Sequence, residues 1–164
     1  MGPKYSKEYG KSKWEDQSSR PQFQPPTAED IEKIIAIGDV ELLVNLANRV
    51  GEALVNQDLK TNQIRNVFGT VRQIQMRWAT DPQKSYREAI LLRPKLAYFA
   101  EKEKKAKGRG SEGMETLQKV LEPALILVGS QGLDDKQRKE RFERFAELFE
   151  AIVAYHKKYG GRDN

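Results

Sequence analysis

The apolar residues of segment 59–78 recur every three or four positions, which is the spacing of one face of an α-helix. This stripe consists of Ile64, Val67, Phe68, Val71, Ile74 and Trp78. Thr61 is expected to cap the helix by accepting hydrogen bonds from its first backbone amides. On a wheel of about 100° per residue, Arg65 and Arg72 fall together beside the stripe, with Gly69 between them. The segment therefore predicts an amphipathic helix with two aligned arginines.

Five further segments have apolar residues at helical spacing. They lie within residues 27–37, 40–56, 84–105, 114–128 and 135–159. Thr27 and Asp39 are expected to cap the helices that follow them, and Gly38 is expected to end the first helix. Asp134 or Asp135 can cap the last helix. Because no segment alternates apolar and polar residues over a useful length, the chain predicts an all-α fold, a compact bundle of five to six helices.

Prolines and glycines indicate where the helical pattern changes. Pro94 is predicted to lie at a kink or to begin a new helix, of which we favour the new helix, because inside a regular helix it would lose a hydrogen bond and clash with the preceding turn. Pro123 is predicted to interrupt the helix of residues 114–128. Gly51, in the middle of a helix, would let a neighbouring helix approach closely. Five basic residues and a glycine within 102–109 predict a frayed helix end that leads into a cationic loop.

Residues 1–26 contain almost no aliphatic side chains and four prolines, which predicts a disordered basic and aromatic arm. Its aromatic residues are Tyr5, Tyr9, Trp14 and Phe23. They alternate with lysines and Arg20, a mixture that suits stacking on bases and contact with phosphates. The alternative is a flexible tail with incidental aromatics. The helical domain is expected to span residues 27–160, and residues 161–164 form a tail.

The net charge of +5 is unevenly distributed along the chain. Residues 27–59 hold two basic and seven acidic side chains, a net −5, whereas residues 60–109 hold thirteen and four, a net +9. Such an asymmetry predicts a face that binds a polyanion, although lysine-rich helices can also be merely solvated. The candidate RNA-binding residues are Lys60, Arg65, Arg72, Arg93, Lys95, Lys102, Lys105 and Arg109. Because arginine and lysine grip phosphate oxygens, this binding is expected to be salt-sensitive and weakly sequence-specific.

Few residues are suited to catalysis or to binding a metal ion. The chain has no cysteine and no Gly-rich phosphate loop. Its one histidine, His156, lies on the apolar face of the last helix, so a hydrogen-bonded core role is expected. The residues shortly before it, Glu150, Ala151 and Ile152, lack the arginine of a HEPN ribonuclease. We therefore expect no catalytic residue, no metal site and no cofactor, and we interpret Asp134 and Asp135 as capping residues.

Nothing in the sequence predicts insertion into a membrane. No apolar run approaches the roughly 18 residues needed to cross a bilayer, and the lysines near the N-terminus precede no apolar segment. A cytoplasmic protein is therefore expected.

Two motifs, LKTNQIRNVF at residues 59–68 and LRPKLAY at residues 92–98, occur in the order typical of one protein family. They resemble those of the small helical subunit of the type III-A CRISPR effector, the Csm complex. The matching positions are Leu59, Thr61, Gln63, Ile64, Arg65, Phe68, Leu92, Pro94, Lys95, Leu96, Ala97 and Tyr98. The resemblance covers roughly residues 27–159, most specifically 59–100. The chain departs from the family pattern after Tyr98, where small residues and then a basic one are expected but Phe99 and Glu101 occur.

The resemblance implies an all-α, non-catalytic subunit that lies along the guide RNA and its paired target RNA. It also implies contacts with other Csm subunits and self-association along a filament in antiviral defence. Guide pairing would supply the specificity, which leaves the protein to hold the backbone. Two alternatives stay open from the residues alone. One is a helical adaptor whose basic strip binds an acidic protein partner, and the other is a small ribonuclease.

Overall fold

Residues 22–106 and 110–162, which the computed structural model describes, form six helices. Helix α1 spans Ala28–Glu32 and continues as a π-helical turn over Lys33–Ile37. The others are α2 (Val40–Asn56), α3 (Thr61–Arg77), α4 (Pro82–Lys105), α5 (Ser111–Val128) and α6 (Asp135–Lys158). No strand occurs in these two ranges. The predicted all-α bundle of five to six helices is confirmed.

Side-chain caps fix three of the six helix starts at the predicted residues. Thr27 Oγ1 accepts a hydrogen bond from the Asp30 amide at 3.1 Å, and Asp39 Oδ1 accepts one from the Leu42 amide at 3.0 Å. Asp134 caps α6 in the same way. Each cap satisfies a backbone amide that has no partner within its helix, so it determines where the helix begins.

The prediction that Thr61 caps α3 is wrong. Lys60 occupies the cap position, and its amide donates to Gln63 Oε1 at 3.0 Å. Thr61 is instead the first helical residue, with its hydroxyl buried and unbonded. Its amide donates to the carbonyl oxygen of Arg162 at 2.8 Å. At the start of α3 the acceptor for a free helix amide is therefore the backbone carbonyl oxygen of Arg162, and not the Thr61 side chain.

The predicted breaks at Pro94 and Pro123 are also wrong, because α4 and α5 run through these prolines. A proline inside a helix costs about 3 kcal/mol or more. On α4, however, Ala89 and Leu92 before Pro94 and Leu96 after it are all buried. A break in the helix at Pro94 would remove the buried residues on one side of the proline from the core. Packing between α4 and α5 therefore outweighs the local cost of the two prolines.

Helix α6 lies at the centre of the bundle and contacts each of α2 to α5 as well as the π-helical turn. Its buried phenylalanines pair with aromatic residues of α3. The ring centroids are 5.2 Å apart for Phe149 and Phe68, and 4.9 Å apart for Phe142 and Trp78. Helix α6, and not α3, is therefore the central packing element of the bundle. The α3 stripe is buried, but it covers only one side of α6.

Gly51 confirms the predicted close helix approach. A Cβ atom built on Gly51 of α2 would lie 2.5 Å from Tyr155 Cβ of α6 and 2.8 Å from the His156 amide nitrogen. Only a residue without a side chain allows the two helices to come so close.

Most of the predicted arm, residues 1–21, lies outside the described residues. Phe23, which the sequence analysis placed in the arm, is half-buried and packs against the hydrophobic core. The packed part of the chain therefore begins before residue 27.

Gly51 of α2 and Gly69 of α3 predict opposite responses to alanine. Gly51→Ala is expected to lower the free energy of unfolding by about 1–3 kcal/mol, because the added methyl group overlaps α6. Gly69→Ala, with nothing within 4 Å of the new atom, should raise it by roughly 0.5–1 kcal/mol through helix propensity. Urea unfolding followed by circular dichroism measures both. Equal effects would contradict the packing of α2 on α6.

Candidate nucleic-acid interface

Three chain segments meet at one end of the bundle. They are the connection between α2 and α3, the end of the connection between α4 and α5, and the residues that follow α6. His156 Nε2 lies 2.6 Å from the carbonyl oxygen of Leu59, and Arg162 binds the amide of Thr61. A Cβ atom on Gly110 would lie 2.9 Å from the carbonyl oxygen of Asp58. These contacts bring together helix ends that are far apart in sequence.

The hydrogen bond between His156 and Leu59 holds this junction in place. The ring is 1 % exposed, and because a carbonyl oxygen can only accept, Nε2 must carry the hydrogen. The Gly161 amide donates to the His156 carbonyl oxygen at 2.9 Å, and a Cβ atom on Gly161 would overlap the imidazole ring. The predicted core role of His156 is therefore confirmed.

Basic side chains are in excess at this end of the bundle, which we term the basic end. Its terminal helical turns and connections contain Lys60, Lys102, Lys104, Lys105, Lys157, Lys158 and Arg162, against the acidic Asp58, Glu103 and Glu112. Lysines in the last turn of a helix also complement the negative end of its dipole. Because α4 and α6 both end here, the positive charges of their lysines add up at one surface.

The positions of the candidate residues divide them into groups. Arg65 and Arg72 are both exposed on one flank of α3, and no carboxylate of the described residues lies within 4 Å of either. Arg72 Nη1 donates to Gln75 Oε1 at 3.3 Å. A Cβ atom on Gly69, between the two arginines, would have nothing within 4 Å. The flank is open along its length, as the wheel predicts.

This arginine flank borders an acidic surface. Phe68 lies on the same side of α3 and packs on Phe149, so the flank adjoins α6. The outer side of α6 carries Glu143, Glu147 and Glu150, which are exposed or half-exposed. The two arginines are therefore outnumbered by the three glutamates of this side of α6, whereas at the basic end seven cations stand against three carboxylates.

The candidates on α4 lie on two different sides of that helix. Arg93 faces α5, where its Nη2 lies 3.8 Å from Glu122 Oε1. Lys95 and Lys102 are exposed on the opposite side of α4. Glu88 lies on that same side, and its 2.8 Å ion pair with Arg77 shows that the side faces α3. Arg93 thus forms an ion pair within the bundle, while neither lysine forms one with the described residues.

The structure also places two further candidates and adds cations that the sequence analysis missed. Lys60 and Lys105 lie at the basic end, and Arg109 lies outside the described residues. The missed residues are Lys104, Lys157, Lys158 and Arg162. The lysines of the last turns are visible in the sequence, but only the contact between His156 and Leu59 shows that α6 ends beside the start of α3.

Within residues 22–106 and 110–162, no three His, Asp or Glu side chains are grouped so that they could hold a metal ion. None of the helices in these ranges combines the length and apolar character that a membrane span requires.

A protein-family model described as Csm2 Type III-A matches residues 38–162. The match covers α2 to α6 and includes the described residues of the basic end. No curated protein and no solved structure matches the chain.

The junction at His156 predicts a measurable loss when its hydrogen bond is removed. His156→Leu leaves the buried Leu59 carbonyl group unpaired, which should lower the free energy of unfolding by about 1–3 kcal/mol. It should also speed hydrogen exchange of the Thr61 amide, because the neighbouring bond to Arg162 would loosen. His156→Gln, whose amide can still donate, is the control. Unchanged stability and exchange in the leucine variant would show that this bond does not hold the basic end.

Proposed function

The chain belongs to the Csm2 type III-A family of CRISPR effector subunits, and we propose that it is the non-catalytic RNA-binding subunit of a Csm complex. In this role it lines the duplex of guide RNA and target RNA through sequence-independent backbone contacts. It also associates with other Csm subunits and with copies of itself along a filament, in cytoplasmic antiviral defence. The observation that carries the proposal is the convergence of seven described basic side chains at one end of the bundle.

The geometry of the basic end suits phosphate binding better than base reading. Its cations come from the start of α3 and the ends of α4 and α6, so they are spread over a surface instead of a single helical edge. Most are lysines, which act as mobile point charges. Side chains cannot read the deep, narrow major groove of an A-form duplex, and its recognition depends on shape and on backbone contacts. Guide pairing then supplies the sequence specificity.

A non-catalytic role agrees with how the reactive side chains are used. His156 is buried and bonded to a backbone carbonyl group, so its Nε2 has no capacity left for proton transfer to a substrate. Asp134 is occupied as the cap of α6. In this proposal the subunit positions RNA, and other subunits perform the chemistry.

A helical adaptor remains the second candidate because of one specific observation. The arginine flank of α3 lies beside the acidic outer side of α6. A surface with adjoining rows of both signs is complementary to a protein partner with the reverse pattern, more than to a uniform polyanion. The two candidates are compatible if the basic end holds RNA while the arginine flank contacts an acidic segment of a neighbouring subunit.

Charge reversal at the basic end tests RNA binding directly. The double variant Lys102→Glu, Lys105→Glu is expected to bind a guide–target RNA duplex at least about tenfold more weakly and to show a shallower dependence on salt, because it loses phosphate contacts. The matched control is Lys84→Glu, Arg87→Glu, at the other end of α4 with the same change in charge. Titration of a fluorescent duplex across a salt series measures both. An affinity that does not depend on salt, or equal losses in both variants, would contradict the proposal.

Replacing Arg65 and Arg72 with glutamate separates the two candidate functions. Both side chains are exposed and neither forms an ion pair within the described residues, so the helical circular dichroism should be unchanged. If the arginine flank contacts RNA, duplex binding falls together with assembly. If it contacts an acidic partner, duplex binding stays within about twofold of the wild-type value and co-purification with the other subunits is lost. Unfolding of the variant would show that the arginines are structural.

A further inference from the structure

Two adjacent aromatic side chains of α4 are exposed to solvent although the bundle has a well-filled core. Tyr98 is 61 % exposed and Phe99 is 39 % exposed. Their ring centroids lie 5.8 Å apart and the ring planes are inclined at 55°. The helix packs through its other face, which consists of Ser85, Ala89, Leu92, Leu96 and Ala100. Packing within residues 22–106 and 110–162 therefore does not account for the aromatic pair.

Lysines flank the pair on the same side of the helix. Lys95 precedes Tyr98 by three residues and Lys102 follows it by four, and both are exposed. The two lysines are about 10 Å apart along the helix axis, with the rings between them. Lys102 also belongs to the basic end, so the aromatic pair adjoins the surface assigned to RNA binding.

We propose that Tyr98 and Phe99 form a stacking platform for an unpaired RNA base, with Lys95 and Lys102 binding the phosphates on either side of that base. This inference rests on the proposed function and extends it from the duplex backbone to a nucleotide outside the duplex. Aromatic rings stack on any base, so RNA binding at the platform, like binding of the duplex backbone, does not depend on sequence. Bases inside an A-form duplex are stacked on one another, which leaves only bulged, flipped or terminal nucleotides to occupy the platform.

The composition of this surface favours RNA over a protein partner. The cores of protein interfaces are depleted of lysine. On α4 the exposed apolar residues Leu91, Tyr98 and Phe99 are interleaved with lysines instead of forming a continuous apolar patch. Cations that alternate with aromatic rings are the arrangement that binds single-stranded nucleic acid.

The test uses the full-length protein and two RNA duplexes that differ only by a one-nucleotide bulge, with 2-aminopurine as the bulged base. The wild-type protein is expected to quench the 2-aminopurine fluorescence and to bind the bulged duplex more tightly than the fully paired one. The double variant Tyr98→Leu, Phe99→Leu keeps apolar side chains but removes the rings. It should lose the quenching and bind the bulged duplex about tenfold more weakly, with unchanged affinity for the paired duplex.

Two further variants serve as controls. Tyr98→Phe should retain the quenching, because it keeps the ring, and Ile126→Ala removes an exposed apolar side chain from α5 without effect on either RNA. Equal binding of the two duplexes by the wild type, or quenching that persists in the double leucine variant, would overturn the platform while leaving duplex binding intact. Loss of co-assembly with other subunits but not of RNA binding would overturn it in favour of a protein contact. Failure to bind either duplex would instead refute the proposed function.

Discussion

The packing of α6 against the other helices is the constraint on which the rest of the structure depends. Its phenylalanines Phe142, Phe145 and Phe149 are completely or almost completely buried, and each fully buried aromatic side chain removes a large apolar area from water. On the α2 side, Gly51 lets the two backbones approach closely. At the π-helical turn, Arg144 Nη1 of α6 donates to the carbonyl oxygens of Ile35 and Ala36 at 3.0 Å each. The last helix thus orders segments that precede it by about a hundred residues.

The position of α6 also decides where the charge lies. Because α6 is antiparallel to α3, its last turn comes to rest beside the first turn of α3, where His156 binds Leu59 and Arg162 binds Thr61. Lysines that each complement the dipole of their own helix are thereby collected on one surface. The same packing brings the acidic outer side of α6 next to Arg65 and Arg72. One helix therefore produces both a cationic end and a flank of mixed charge.

In the proposed function, these two surfaces would bind different partners. A cationic end built from several helix termini can follow a phosphate backbone without demanding one orientation of each side chain. A flank with rows of both signs specifies a partner and a register, because a misaligned partner would place like charges together. The exposed ring of Tyr98 lies on α4, whose last turn belongs to the basic end.

The sequence by itself determined the all-α class, the extents of most helices and the exposure of Arg65 and Arg72, because periodicity and capping act over a few residues. It also placed His156 in the core. It did not locate the cap of α3, since the partner of the Thr61 amide is a carbonyl group about a hundred residues later. Nor did it show that α4 and α5 continue through Pro94 and Pro123, where packing between helices outweighs a local cost. Only the tertiary structure decided which cations share a surface, because that depends on how the helices are arranged around α6.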